Sequence, residues 1–526
     1  MPKGWLWVLC GFIASFELAL GAYIAMGQGF IYGDALSRLA NAFYVLFSRD
    51  PHLSAIGFIW NPLPSLLAIP LLLAYPLFPA LVSSGMIMVM LSAVFAGLTV
   101  FVVWSAFRRF SVPTRGAAVV CGLLFAFHPF QLWYGANGMS EAIFGFFLAL
   151  TVVSWTEWMK SDQTQALIIA SIGLGLAFLT RYEAVPFAFV LLICTGIIMS
   201  RRRMLKQRGE STLIVLAMPI AFAGGVWIWL NYTIMGNPLY FLQSAYSNQG
   251  QAAFLADNET FGGVIGNPVG SLWYMLQRTG VFLLPYAAIL ICRRRSTGSL
   301  RHADLLILTL LVWSIPLFQW GMLMIGSSYG WLRFFYYPLV IAFAWLPYEW
   351  SFASKNESGW LKWCVPAAFV LSSALAVPVM NHPSLAPEEY AAIHYRDSDV
   401  LRKSETQRQN AELLDRLIFE ASPSALVMTD SFNAYEIILN SRHPGRFVNT
   451  TDRDFKTVLE DPHNYGVTHI LAPPPGGLND LNAVLARYPD FYEERHDWAA
   501  LDMTMAGGWK LFRVVGPTPH SSQESH

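Results

Sequence analysis

Runs of about twenty apolar residues recur along the first part of the chain, beginning near positions 5, 84, 116, 140, 166, 184, 212, 272, 305, 334 and 361. Each is long enough to cross the hydrocarbon core of a bilayer as a helix. The pattern predicts a polytopic α-helical membrane protein with about eleven transmembrane helices. One more apolar segment, NPLPSLLAIPLLLAYPLFPA at 61–80, has prolines at 62, 64, 70, 76 and 79. Prolines interrupt an ordinary spanning helix, so this segment is expected to be a re-entrant or juxtamembrane surface helix. The first run, from Gly4 to about Met26, lacks a small-residue cleavage site and reads as a retained helix.

Past residue 380 the pattern changes. SALVMTDS (424–431), GRFVNT (445–450), THILAPPP (468–475) and WKLFRVV (509–515) read as strands, with amphipathic helices at about 386–420, 454–460 and 478–488. Alternating strands and helices predict a small α/β domain with a mainly parallel sheet. The expected division is 1–380 for the membrane domain, with long loops at 27–83 and 231–271, and 381–526 for the soluble domain.

Charge sharpens this division. The chain is 55% hydrophobic and 13% charged, far below the roughly 25% charged of soluble domains. Its net charge is zero, yet residues 1–380 carry 21 Lys+Arg against 13 Asp+Glu and residues 381–526 carry 13 against 21. Three basic loops hold Arg108, Arg109 and Arg115; Arg201, Arg202, Arg203, Lys206 and Arg208; and Arg293, Arg294, Arg295 and Arg301. The positive-inside rule places them in the cytoplasm. They agree on one side only if 61–80 does not span. The N-terminus is then cytoplasmic, and 27–83, 231–271 and the C-terminal domain are extracytoplasmic. The acidity of that domain argues against nucleic acid as a partner.

On this topology the outer face of the membrane part holds five cations, Arg38, Arg49, Arg181, Arg278 and Arg333. Asp34 opens the first outer loop in YGDALSRLANAFY, Glu141 begins a helix in NGMSEAIFGFF, and Arg181 and Glu183 lie in FLTRYEAVPF. Arg333 lies in SSYGWLRFFYYPLV between Tyr329 and Tyr337. Singly, each has a plainer reading: a snorkelling arginine for Arg333, a structural salt bridge of Arg181 with Glu183 or Glu141, a helix cap for Asp34, a helix-end charge for Glu141. Together they outline a polar site at one membrane level. A carboxylate can take the proton of an attacking hydroxyl, and guanidiniums can hold a departing phosphate. Such a set suits group transfer from a phosphate-activated, lipid-tailed donor.

These segments resemble the GT-C superfamily of membrane glycosyltransferases, in particular the branch of protein O-mannosyltransferases and the lipid A aminoarabinose transferase. YGDALSRLANAFY stands where that branch has an acidic motif on a juxtamembrane helix, and WNPLPSLLAIPLL where it has an HPPL-like segment. LLFAFHPFQLWYGANGMSEAIFGFFLAL, GLGLAFLTRYEAVPFAFVLL and WLRFFYYPLV extend the resemblance over most of residues 1–350. It implies an inverting transferase that takes a sugar from a polyprenyl-phosphate or dolichyl-phosphate carrier on the extracytoplasmic side. Asp34 would be the general base and Arg333, with Arg181, the carrier-phosphate site. Arg38, Glu141, Glu183, Tyr329 and Tyr337 would support them. Two departures stand out: Asp34 is followed by Ala35 rather than a second acid, and the HPPL histidine gives way to Trp60-Asn61-Pro62.

The loop at 231–270 is rich in glycine, amides and aromatics, which suit sugar recognition, and Tyr240, Gln243 and Tyr246 are its candidates for the sugar or the acceptor. The acceptor itself, whether lipid, glycan or protein, is open. There is no GxxxxGK[ST], HExxH, paired CxxC or nucleotide-binding GxGxxG. No cofactor is expected; a divalent metal is conceivable, but one obvious carboxylate does not favour it. A transporter or flippase for a lipid-linked sugar and a non-catalytic membrane assembly protein are the alternatives. The first would need a polar path through the bilayer, and inverted repeats would favour it.

Overall fold

A computed structural model describes residues 3–112, 115–203, 208–251, 263–297, 303–352, 361–493 and 496–518. Among these residues eight helices are long and apolar enough to cross a membrane: Gly4–Gly27, Met86–Arg109, Glu141–Ser161, Ala184–Arg201, Glu210–Met235, Pro268–Arg295, Ala303–Met324 and Trp363–Met380. A ninth crossing results if Gly116–Ala126 and Pro129–Ala136, bent by 56° at their junction, form one span. The bend falls at Pro129, which opens the second helix while His128 caps it by accepting from the Phe130 amide at 3.3 Å.

The two remaining predicted runs are helical but shorter: Thr164–Thr180 has 17 residues and Tyr337–Trp350 has 14. The latter starts late because Leu332–Phe335 is a 3-10 turn. At 1.5 Å per residue it reaches about 21 Å, less than the roughly 30 Å core. Segment 61–80 forms the ten-residue helix Leu63–Leu72 with Pro70 inside it, about 15 Å long and too short to cross.

The chain groups into two compact units. The first, Met1–Tyr23, Val89–Tyr240 and Leu255–Ile393, holds nearly all the long apolar helices. At its centre Glu141–Ser161 packs on Thr164–Thr180 and on Tyr337–Trp350. Almost every residue of the Tyr337–Trp350 helix is buried, which accounts for its being apolar all round. The Lys3–Ala22 helix packs on Pro129–Ala136, and a glycine sets the spacing. A β-carbon on Gly21 would run into the backbone carbonyl of Ala136. Gly21→Ala is therefore expected to cost about 1–3 kcal/mol through overpacking, read as a lower melting temperature in detergent.

The second unit joins Ile24–Met88, Phe241–Phe254 and His394–His526. Its sheet consists of β1 (Val427–Met428), β2 (Phe447–Val448), β3 (His469–Ala472), β4 (Ala499–Thr504) and β5 (Lys510–Val514), in the order β2-β1-β3-β5-β4. The first three strands are parallel; β5 runs antiparallel to β3, and β4 antiparallel to β5. The sheet is thus mixed, with a fifth strand that the sequence pattern did not predict. Met428, Val448, Ile470 and Phe512 pack with Phe455, Phe491 and Trp498 into its core.

Within this unit the Gly33–Phe47 helix packs on Leu63–Leu72 and on the Ser431–Asn440 helix. Charges fasten the same seam. Arg49 Nε donates to Asp452 Oδ2 at 2.9 Å and Arg49 also pairs with Asp454, while Arg453 Nε donates to Asp50 Oδ2 at 2.9 Å. The Arg453 contact holds the Asp50 carboxyl below its ordinary range.

Candidate functional site

In the first unit the ionic residues form one buried cluster. Arg181 follows the C-terminus of Thr164–Thr180, where a cation suits the helix dipole. Its Nη1 donates to Glu141 Oε1 at 2.5 Å and to Ser140 Oγ at 3.1 Å, and its Nη2 donates to Glu183 Oε1 at 2.9 Å. Glu183 Oε1 also accepts from Gln319 Nε2 at 3.4 Å, and Ser328 Oγ donates to Gln319 Oε1 at 2.8 Å.

Arg333, on the Leu332–Phe335 turn, is buried. Its Nε lies 3.3 Å from Glu388 Oε2 and 3.8 Å from Glu141 Oε1, and its Nη1 is 3.6 Å from Met139 Sδ. Both guanidiniums face the Phe334 ring, Arg181 at 5.3 Å and Arg333 at 5.2 Å, an arrangement stabilised by the ring quadrupole. Tyr337 is fully buried, its ring edge-on to Phe144, and its hydroxyl has no hydrogen-bond partner among the described residues. Tyr329 instead stacks on Trp331 at 5.8 Å.

Three acids here escaped the sequence analysis. Glu388 and Glu389 fall within the helix expected at 386–420, whereas the structure has a separate helix, Pro387–Ile393, with both in its first turn. The signal was an adjacent pair of acids just past the last apolar run. Glu17, the lone acid of the first run, is fully buried, and neither carboxyl oxygen has a hydrogen-bond partner among the described residues.

In the second unit Asp34 is the second residue of Gly33–Phe47, half-buried; the cap position belongs to Tyr32. An acid in a first helical turn is favoured by the dipole. A β-carbon at Gly33 would come 2.9 Å from the Tyr435 hydroxyl, so glycine lets that phenol settle beside the start of the helix. Burial, then the charges of Glu436 and Asp34, push the Tyr435 hydroxyl well above its ordinary pKa. One turn on, Arg38 is buried: its Nη1 donates to the Asn61 carbonyl at 3.3 Å and its guanidinium lies 5.1 Å from the Trp60 ring. The residues that replace the HPPL histidine thus cradle Arg38.

Tyr240 is half-buried at the start of the Tyr240–Gln243 turn and Gln243 is exposed; residues 252–262 of that loop lie outside the described residues. Tyr246 Oη donates to Asp430 Oδ2 at 2.9 Å. Asp430 also accepts from the amides of Phe432 at 2.8 Å and Ala483 at 2.7 Å, and from Thr450 Oγ1 at 3.1 Å. Burial raises its carboxyl pKa against these donors. An Asp430→Asn amide would point a donor at donors, so a loss of about 2–3 kcal/mol is expected, measurable as a lower melting temperature. No group of three or more His, Cys, Asp or Glu placed to hold a metal ion occurs among the described residues.

Comparison with known proteins adds one finding. No curated protein matches the chain, but a family model does, over a segment that contains Glu141, Arg181 and Glu183 and leaves Asp34 and Arg333 outside. Residues 64–229 match the dolichyl-phosphate-mannose-protein mannosyltransferase family, a member of the GT-C superfamily of membrane glycosyltransferases.

Proposed function

We propose that the protein is an inverting glycosyltransferase that moves a sugar from a polyprenyl-phosphate carrier to a hydroxyl acceptor on the extracytoplasmic face of the membrane. The family match points to a polyprenyl-phosphate-sugar transferase of the GT-C kind. The observation that carries the reading to this chain's own residues is the pair of buried guanidiniums, Arg181 and Arg333, flanking Phe334 within a bundle of apolar helices.

In this reading the Asp34 carboxylate accepts the proton of the acceptor hydroxyl as its oxygen attacks the anomeric carbon. The bond from that carbon to the phosphate oxygen breaks, and the electron pair leaves with the phosphate. Arg333 stabilises the charge that develops there. A single displacement inverts the anomeric centre. Arg181, held by Glu141 and Glu183, keeps the second guanidinium in place. Guanidiniums supply the positive charge, so no divalent metal is called for. The distribution of basic loops supports an orientation with the N-terminus in the cytoplasm and the α/β portion outside.

Purified protein incubated with a panel of polyprenyl-phosphate-linked sugars and hydroxyl acceptors should release one polyprenyl phosphate per sugar transferred. A protein that only carries the lipid across the bilayer would release none, and that result would replace this reading with transport.

A further inference from the structure

The last apolar helix ends at Met380, and the residues that follow are fixed to buried side chains of the same unit at three points. Arg278 Nη2 donates to the Ser384 carbonyl at 2.5 Å, Tyr134 Oη donates to Glu389 Oε1 at 2.9 Å, and Glu388 Oε2 lies 3.3 Å from Arg333 Nε. Arg278 and Tyr134, which supply two of the three, are themselves buried. All three contacts are polar, and two of them use adjacent carboxylates.

A buried guanidinium without an anion is costly, so Arg333 needs a negative partner before any ligand arrives. Glu141 and Glu388 both lie within 4 Å of it, and they differ in freedom. Glu141 is fully buried and bonded to Arg181. Glu388 is the more accessible, its side chain 17% exposed against 0% for Glu141. It sits on a seven-residue helix joined to the last apolar helix by the six residues 381–386. A carboxylate on a guanidinium offers the same charge and acceptor geometry as a phosphate oxygen, but a phosphate offers more acceptor oxygens.

We propose that Glu388 is an internal stand-in for the carrier phosphate: residues 381–393 form a strap whose carboxylate occupies Arg333 until a lipid-linked phosphate displaces it. The inference rests on the reading of Arg333 as the phosphate-binding residue. Glu388 then sets the threshold for occupancy, because only an anion anchored at high local concentration by its lipid tail competes with a carboxylate tethered in place. Glu389 and Tyr134 hold the strap closed without touching the phosphate.

The test titrates undecaprenyl phosphate onto the full-length protein in nanodiscs of uncharged lipid, with amide hydrogen exchange recorded over 381–393. Glu388→Gln should bind about tenfold tighter than the parent, as expected from removal of one competing charge-assisted contact. Tyr134→Phe, which leaves every charge in place, should also bind tighter, and ligand should raise exchange across the strap. Tightening in Glu388→Gln alone, with no rise in exchange, would reduce the effect to plain electrostatics and overturn the strap. Strap opening by inorganic phosphate alone would overturn the requirement for a lipid tail. Arg333→Gln separates the two levels. If it abolishes binding while Glu388→Gln and Tyr134→Phe change nothing, the strap is wrong and the reading of Arg333 stands; if it binds like the parent, the reading of Arg333 falls.

Discussion

Replacing Arg181 by methionine is expected to destabilise the protein by about 3–5 kcal/mol, the usual cost of removing one partner of a buried ion pair. The Arg181 side chain is only 10% exposed, and those of its partners Glu141 and Glu183 are 0% and 9%. Methionine fills similar volume but leaves two buried carboxylates without their shared cation; Ser140 and Gln319 cannot neutralise them, and Arg333, 3.8 Å from Glu141 Oε1, is too far to replace the lost hydrogen bonds. Lysine should recover little, because a single ammonium cannot replace a planar fork that reaches Ser140, Glu141 and Glu183 from separate nitrogens. The triple change Arg181→Met, Glu141→Gln, Glu183→Gln should recover much of the loss, since it removes the stranded charges together. Thermal unfolding in detergent reads all three. An Arg181→Met protein that melts with the parent would show that the cluster does not carry the fold of the first unit.

The legible parts of this molecule are those written in long, one-dimensional patterns. Apolar runs announce their helices because a lipid environment demands about twenty apolar residues in a row. The proline-dense 61–80 segment announces that it cannot cross, and its helix is only ten residues long. Arg181 was legible too, since Glu183 lies two positions away and pairs with it. The sheet was harder. The expected strands at 424–431 and 445–450 contain β1 and β2 but shrink to two residues each, and exposed β4, which carries little apolar alternation, was not expected. The Ser431–Asn440 helix hid behind the expected 424–431 strand because Asp430, which looked like a strand end, is its cap. Partners brought together only by tertiary structure left no local trace: Glu388 with Arg333, Trp60 with Arg38, Tyr435 beside Gly33. The site's cations could be picked from the sequence because charge is rare in a membrane bundle, and so could the acids that hold Arg181, but the Glu388 partner of Arg333 is settled by packing.

Asp34→Asn is expected to reduce sugar transfer by about 10²–10⁴-fold, the range a positioned general base contributes, while donor binding stays intact. The change is nearly isosteric. Asparagine keeps an acceptor oxygen at the same place in the first turn of Gly33–Phe47 and gives up the charge, whose interaction with the helix dipole is worth about 0.3–1 kcal/mol. The helix itself is held elsewhere, by Arg38 against Trp60 and Asn61 and by the Arg49 and Asp50 ion pairs. A folding defect is therefore not the expected outcome, and an unchanged melting temperature would confirm that the loss is chemical. Asp34→Glu should retain part of the rate, because a carboxylate still points from the same turn but its oxygen is displaced by one methylene. Product release measured beside polyprenyl-phosphate binding then divides the roles: Asp34→Asn should lose the first and keep the second, and Arg333→Gln should lose both. Full turnover by Asp34→Asn would take the proton transfer away from Asp34 and send the search for the base to the second unit's buried acids, with Asp430 and Asp452 first among them.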